Sequence, residues 1–312
     1  MRRLLAIFGA AVMIGLAIVA RGVIDDDDHG SGGGGSGSDE LVVVCARDLK
    51  EACDALEGLT VVLAEAADTA AAITAGELDD DVDAWLTSSA WTEVLAARAP
   101  GALADPVAVA RTPAVVSVAQ PRAPAVLTVC ESSITWACLG QNAGAQWGSL
   151  GTGDPQWGAL KFGLPVADSA TGLAVIASVA VGSFGNADFA ANDFGGDFAG
   201  QVQAIGSGSG PDPDPVATLV TRPGTYTAVG ALHADAETVG ERAYTVMSEP
   251  TVFATAVLVQ LRGADRVPGI DRARDALGEA GWSPLPDDAD IPPTLKPGVM
   301  AALHTLWTET TG

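Results

Sequence analysis

Small hydroxyl residues and acids follow several apolar runs of this sequence, at positions where they could bind a polar or charged group. The run Val82–Leu86 gives way to Ser88 and Ser89, and the apolar spacing of a helix then begins at Trp91. A strand that turns directly into a helix brings free backbone N–H groups and hydroxyls to one point, which suits an anionic or polar ligand. The segment Pro165–Gly172 has the same chemistry before a second apolar helix. We interpret the two as opposing walls of a binding cleft, although either serine taken alone is equally well explained as an N-cap.

The residues that usually perform catalysis are few and scattered. Of the three histidines, His29 lies in a linker, His233 near a predicted strand end and His304 on an amphipathic helix. The sequence contains no nucleophile elbow, phosphate loop, zinc-protease motif or calcium loop. The acids at 79–81 are most simply a solvated turn, with a cation site as the weaker alternative. We therefore expect a binding protein rather than an enzyme, and no cofactor.

Alternating strand and helix patterns position the first group of candidate residues. Apolar runs at Leu41–Cys45, Thr60–Leu63 and Val82–Leu86 are each followed by a helical pattern. Three consecutive strand–helix units predict a parallel sheet with right-handed crossovers, whose strand C-termini line a ligand crevice.

The rest of the chain has a mixed pattern. Two apolar strands at 107–110 and 114–119, interrupted by Arg111-Thr112-Pro113, suit a crossing between two lobes. The remaining predictions are a strand at 160–164, a helix at 173–181, strands at 229–232 and 243–247, and helices at 252–261, 270–280 and 299–307.

The composition excludes some partners. The chain of 312 residues carries 16 Lys and Arg against 39 Asp and Glu, a formal net charge of −23. Nucleic acid and anionic membrane surfaces need concentrated positive charge, so we expect neither as a partner.

The N-terminus has the pattern of an export signal. Arg2 and Arg3 precede an uncharged apolar run, and Arg21 and four aspartates follow it. Basic residues before the run and acids after it predict a cytoplasmic N-terminus and an external body. We favour a retained single-pass anchor in the cell membrane at residues 1–24 over a cleaved signal, which would give a secreted protein. Residues 25–39 form an acidic Gly/Ser linker, and 40–312 form the folded domain.

Four cysteines suit an oxidising, exported setting. Cys45 and Cys53 are eight residues apart, as are Cys130 and Cys138. Three pairings are possible, and we favour the two local ones over either the other pairings or metal binding.

Several short motifs in a fixed order resemble the type 2 extracellular solute-binding fold, in particular actinobacterial relatives of molybdate- and sulfate-binding proteins, which are often fused to a von Willebrand factor A domain. The motifs are Leu41–Leu49, Gly76–Asp79 leading into Val82–Trp91, Ala110–Val116, Gly163–Pro165 with Ala170–Leu173, Ala280–Pro284, and Pro297–Leu303 continuing to Trp307.

The resemblance implies an α/β domain of two lobes with mixed sheets, clamped around a ligand that helix N-termini hold. Lobe 1 would comprise about 40–111 and 228–312, and lobe 2 about 112–227. Carried over by position, the ligand-binding residues would be Arg47, Asp48, Asp68, Ser88, Ser89, Thr112, Ser169, Thr171 and Glu237. Asp48 and Asp68 replace neutral donors and would repel an anion unless protonated or turned away, which argues against an oxyanion ligand.

The resemblance also implies a function. We expect a membrane-tethered extracytoplasmic protein that captures a small polar solute by lobe closure. Its expected partner is a transporter of the ABC type, or a separate membrane protein with a von Willebrand factor A domain. The alternative, motivated by the acidic turns, is a ligand-free fold that acts as a cell-surface interaction module.

Overall fold

The computed structural model describes residues 41–208, 212–261, 269–291 and 293–311. The predicted anchor at 1–24 and linker at 25–39 lie outside these residues. Within the described ranges, no helix combines the length and apolar character needed to cross a bilayer.

Three parallel strands begin the first sheet, as their sequence pattern predicts. β1 (Val42–Ala46) lies between β2 (Thr60–Ala64) and β3 (Val82–Ser88), and it pairs in parallel with both. Helices α1 (Lys50–Asp54) and α2 (Ala66–Ala75) make the two crossovers. α3 (Ser89–Arg98) starts directly after β3, so the carboxyl ends of all three strands meet at one edge of the sheet.

One long strand, β4 (Val107–Ala119), connects the two lobes. Its first half pairs with β8 (Phe253–Gln260) and β9 (Ser283–Pro284), and its second half pairs with β6 (Ala228–Leu232) and β7 (Ala243–Met247). The prediction of two strands is therefore corrected to one. The interrupting segment 111–113 remains extended where the chain passes between the sheets.

β8 corrects a second prediction, because residues 252–261 were expected to form a helix. The strand lies antiparallel between β3 and β4 in the middle of the first sheet, and six consecutive residues, 254–259, are buried. A strand covered on both faces has no period-two alternation, so a continuous apolar run does not distinguish it from a buried helix.

The second sheet contains β5 (Phe162–Gly163), β6, β7 and the second half of β4. Its helices are α4 (Ala123–Val129), α5 (Trp136–Asn142), α6 (Ala170–Phe184), α7 (Gly196–Gly208) and α8 (Pro215–Thr221). By sheet pairing, residues 228–247 belong with this sheet, and the chain returns to the first sheet between β7 and β8. The predicted division, with lobe 1 at about 40–111 and 228–312 and lobe 2 at about 112–227, stays a prediction.

Helix α9 (His233–Glu237) follows β6 and packs on β4 and β6. The last two helices close the first lobe: α10 (Ile270–Glu279) packs on α1, and α11 (Pro297–Thr311) packs on α3. Helix α6 lies between the lobes, with contacts to α5 and β6 on one side and to β3, β8 and α3 on the other. Twelve of its fifteen residues are buried, and α6 belongs to the main hydrophobic core, which spans both halves. A second, smaller core packs β6 and β7 against α8 and α9.

Both local disulfides are formed. Cys45–Cys53 joins the end of β1 to α1, and Cys130–Cys138 joins the end of α4 to α5. One disulfide therefore lies in each lobe.

Candidate functional site

A cleft of about 720 Å³ lies where the two lobes meet. The segment after β1 and helix α10 form one side, and the N-terminal ends of α6 and α8 form the other, with β6 and α9 between them. Apolar side chains, including Val175, Val216, Leu277 and Trp282, contribute much of its surface. Cavities of this size, with a few convergent polar groups, are typical of small-molecule sites.

The N-terminus of α6 faces this cleft. Ser169 is its N-cap: its Oγ accepts a hydrogen bond from Gly172 N at 2.9 Å and donates one to Val166 O at 3.0 Å. A Cβ added at Gly172 would overlap the carbonyl oxygen of Val166 and lie 2.6 Å from Ser169 Oγ. The absence of a side chain at Gly172 therefore lets the preceding turn fold tightly onto the helix.

Asp48 of the first lobe caps the same helix. Its carboxylate accepts hydrogen bonds from Ala170 N at 3.1 Å, Thr171 N at 2.7 Å and Thr171 Oγ1 at 2.6 Å. A carboxylate is stabilised there both by the free N–H groups and by the helix dipole. The contact joins the lobes directly.

Other first-lobe groups donate hydrogen bonds to backbone carbonyls at the start of α6 and in the turn before it. Ser88 Oγ donates a hydrogen bond to Ala170 O, and Trp91 Nε1 donates one to Ser169 O at 2.8 Å. The backbone N–H of Ala67 donates to Asp168 O at 3.0 Å. Residues 168–171 are therefore held to three successive strand–helix turns of the first lobe.

His304 adds a fourth contact, from α11. Its Nδ1 lies 3.2 Å from an Arg98 guanidinium nitrogen, and its Nε2 lies 3.1 Å from Asp168 Oδ1. Because a guanidinium can only donate, Nδ1 accepts in the neutral ring and Nε2 carries the proton that is donated to Asp168. Trp91 packs edge-on against the imidazole, with ring centroids 4.9 Å apart. The histidine thus has a positioning role in the interface.

Carboxylates dominate the charge of the cleft. Glu51, Asp214 and Asp235 line it together with Asp48. The protein surroundings of Asp235 raise the pKa of its carboxyl to about 6, first by desolvation and then by the charges of Asp214 and Asp48, although part of the side chain remains open to solvent. The cleft therefore disfavours additional negative charge.

Arg47 is the positively charged side chain among the described residues of the cleft, and it is already paired. Its Nε donates to Glu65 Oε1 at 2.9 Å, and both side chains are substantially exposed. An exposed pair of this kind contributes little stability, but it reduces the positive charge that a ligand would meet.

Four of the nine residues proposed from the sequence line the cleft: Arg47, Asp48, Ser169 and Thr171. Ser88, Ser89 and Thr112 are buried, and Thr112 Oγ1 accepts a hydrogen bond from Ala234 N at 3.3 Å.

The other two proposed residues do not line the cleft: Asp68 is exposed on the first turn of α2, and Glu237 is exposed at the last position of α9. Partial burial and the charge of Asp168 raise the pKa of the Asp68 carboxyl, while Arg47 opposes the shift. Glu237 lies 3.7 Å from His233 within α9.

Sequence reasoning missed the acids contributed by the second lobe and the segment after it. Asp214 accepts a hydrogen bond from Ala217 N at 2.8 Å and caps α8. The pair Asp214-Pro215 is a recognisable helix start, because Asp is favoured at the N-cap and Pro at the first helical position. Asp235 carries no such signal, since it lies inside a short helix. Across the ranges that the structure describes, no group of three His, Cys, Asp or Glu side chains is arranged to hold a metal ion.

No protein-family model and no curated protein matches the sequence. Solved structures match with high probability at low identity. Iron-bound HitA from Pseudomonas aeruginosa has a TM-score of 0.57 at 12% identity, with 87% of this chain and 99% of that chain covered.

Two further structures match over a similar length. The periplasmic binding protein AfuA from Actinobacillus pleuropneumoniae, with fructose-6-phosphate bound, has a TM-score of 0.54 at 12% identity and covers 86% of this chain and 97% of its own. The ferric binding protein from Campylobacter jejuni has a TM-score of 0.51 at 11% identity, covering 87% and 97%. Together with the two sheets and the strand that joins them, this likeness shows that the chain has the two-lobed α/β fold of type 2 periplasmic solute-binding proteins.

Proposed function

We propose that this chain is an extracytoplasmic solute-binding protein that holds a small polar solute in the cleft between its lobes. The observation that carries the proposal is the cleft itself: about 720 Å³, with walls from both lobes and a helix N-terminus at its edge. The fold it shares with periplasmic binding proteins supports the same function.

The setting of the protein is part of the proposal. The N-terminal sequence supports a membrane-tethered domain outside the cytoplasm, and the two disulfides suit an oxidising compartment. We propose an ABC-type transporter as the partner that receives the solute; a separate membrane protein with a von Willebrand factor A domain is the other candidate partner.

Solute binding is tested by thermal stability. A ligand that binds only the folded state raises the melting temperature. We expect at least one member of a panel of amino acids, amines, sugars, nucleosides and metal ions to stabilise the wild-type protein. Thr238→Trp, which places a large side chain in the cleft, should abolish that shift.

Thr221→Trp is the matched control. Thr238 and Thr221 are both exposed, and each hydroxyl donates to a carbonyl of its own helical segment, at 2.7 Å and 2.6 Å. Thr238 lines the cleft, whereas Thr221 lies at the far end of α8. A ligand shift that survives Thr238→Trp unchanged would place the binding site elsewhere and contradict the proposal.

The second candidate function is a ligand-free interaction module on the cell surface. The observation that favours it is the Asp48 carboxylate, whose hydrogen bonds to the helix N-terminus join the lobes directly. In that case no solute on the panel would stabilise the protein, and cross-linking in native membranes would capture a partner equally well with the wild type and Thr238→Trp.

A further inference from the structure

The N-terminus of α6 has the features of an anion-binding position. The helix is fifteen residues long, and the N–H groups of Ala170 and Thr171 and the hydroxyl of Thr171 converge on one point at the cleft edge. Free N–H groups and the helix dipole together attract negative charge. Thr171 and Ser169 also line the cleft, so a solute there would reach this point.

In this chain the point is already filled. The two oxygens of Asp48 accept all three of those hydrogen bonds, at 2.6–3.1 Å, in the place that the oxygens of a bound carboxylate or phosphate would take. Asp48 comes from the other lobe, 122 residues earlier in the chain than Ala170. A side chain of the protein thus performs the contact that would otherwise be available to an anionic ligand.

We propose that Asp48 determines the charge class of the solute: its carboxylate occupies the anion position at the N-terminus of α6, so the cleft accepts neutral or positively charged solutes and excludes anionic ones. This inference rests on the proposed function, because it assigns specificity to the same cleft.

The surrounding charges act in the same direction. An anion that displaced Asp48 would still face Glu51, Asp214 and Asp235. Desolvation raises the pKa of the Asp235 carboxyl, and repulsion from Asp214 and Asp48 raises it further. The nearby guanidinium of Arg47 is paired with Glu65. Among these acids, however, only Asp48 accepts hydrogen bonds from the α6 N-terminus, so its removal should have an effect that removal of another acid does not.

The test is a gain of anion binding. Inorganic phosphate and sulfate are titrated into the purified protein by calorimetry, at constant ionic strength maintained with chloride. We expect no saturable binding by the wild type. Asp48→Ala frees the three donors and removes one negative charge. We therefore expect it to bind phosphate or sulfate saturably, with an affinity at least about tenfold above the upper limit that the titration sets for the wild type.

Asp214→Ala is the matched control. Asp214 also lines the cleft, also caps a helix, and its loss changes the net charge by the same amount. The donors at the α6 N-terminus bond to Asp48 and not to Asp214. Asp214→Ala should therefore bind phosphate no better than the wild type. Equal gains in both variants would contradict the proposal, because they would reflect general charge reduction.

Asp48→Ser is a second variant, to be used if Asp48→Ala does not fold. Its hydroxyl can still accept a hydrogen bond at the helix N-terminus and can donate to a bound anion. Gain of binding by either folded variant supports the proposal. Saturable phosphate or sulfate binding by the wild type, or no gain in a folded Asp48 variant, would overturn it.

These outcomes are separate from those of the proposed function. If a neutral or cationic solute stabilises the wild type but folded Asp48 variants gain no anion binding, the cleft binds solute and Asp48 does not set its specificity. If Asp48→Ala gains anion binding but no solute on the panel stabilises the wild type, Asp48 fills the anion position and solute binding by the natural protein fails.

Discussion

At the scale of single residues, Glu93 is a carboxyl in an unusual position. It lies on α3 with 7% of its surface exposed, and its two oxygens accept hydrogen bonds from Thr294 N at 2.6 Å and Leu295 N at 3.2 Å. Burial raises its pKa to about 7, although those two hydrogen bonds oppose the shift. Glu93 thus holds the segment before α11 against α3 and is costly to ionise.

Glu93 should make the folded protein less stable as the pH rises. The unfolded chain loses this proton near pH 4.5 and the folded chain near pH 7, so between these values the folded state binds more protons. The free energy of unfolding should therefore fall by about 3 kcal/mol across this window on account of Glu93. Glu93→Gln stays neutral, so relative to the wild type it should gain that amount between pH 4 and pH 8 in urea unfolding.

The comparison of two pH values separates charge from hydrogen bonding. The amide of Glu93→Gln does not titrate, so its hydrogen bonds are the same at both pH values and cancel when the variant's two free energies of unfolding are compared. Glu279→Gln changes an exposed acid and is the control. Identical pH profiles for Glu93→Gln and the wild type would show that Glu93 ionises normally in the folded protein.

Residue types at strand ends predicted part of the cleft but not its contacts. Asp48 and Thr171 follow a strand and begin a helix, so the sequence identifies both as candidate cleft residues. Their direct hydrogen bond depends on the approach of two segments 123 residues apart, which no local pattern encodes. Ser88 and Ser89 have equally suitable chemistry but are buried, because the start of α6 packs over the end of β3.

At the scale of elements, the start of α6 depends on Gly172. Alanine normally stabilises a helix interior relative to glycine, by about 1 kcal/mol. At position 172 an added methyl group would overlap Val166 O and press on Ser169 Oγ, so Gly172→Ala should instead lower the free energy of unfolding by about 2 kcal/mol.

Gly200 in α7 provides the contrast. It is exposed, its backbone is in the ordinary helical region, and an added Cβ would meet nothing within 4 Å. Gly200→Ala should therefore stabilise the protein by up to about 1 kcal/mol. Urea unfolding of the two variants measures both effects. Stabilisation by both substitutions would mean that the turn before α6 can relax away from the helix.

The type of an element can be predicted where its sequence shows which of its faces are buried. Strands β1 to β3 follow the strand–helix pattern of a parallel sheet, and the structure places them in that order with only small shifts at their ends. β8 was predicted as a helix because both of its faces are covered, which removes alternation from its sequence. Its position between β3 and β4 is a long-range property, set by the return of the chain from the second sheet.

At the scale of the whole molecule, the main hydrophobic core spans both lobes. Trp85 and Trp91 of the first lobe and Trp136 and Leu139 of the second belong to the same cluster of buried residues, which α6 connects. Lobes that share a core should unfold together, because neither can lose its structure without exposing apolar surface of the other.

The disulfide of the second lobe tests this coupling. Cys130–Cys138 closes a short loop, and its loss by Cys130→Ala/Cys138→Ala should cost about 2–3 kcal/mol. For a domain of this size, such a loss should lower the melting temperature by roughly 4–6 °C. Because the core is shared, differential scanning calorimetry should record one transition displaced to lower temperature.

Cys45→Ala/Cys53→Ala, the matched change in the first lobe, should displace the same single transition. Two separated transitions in either variant would show that the lobes unfold independently and that α6 does not couple them.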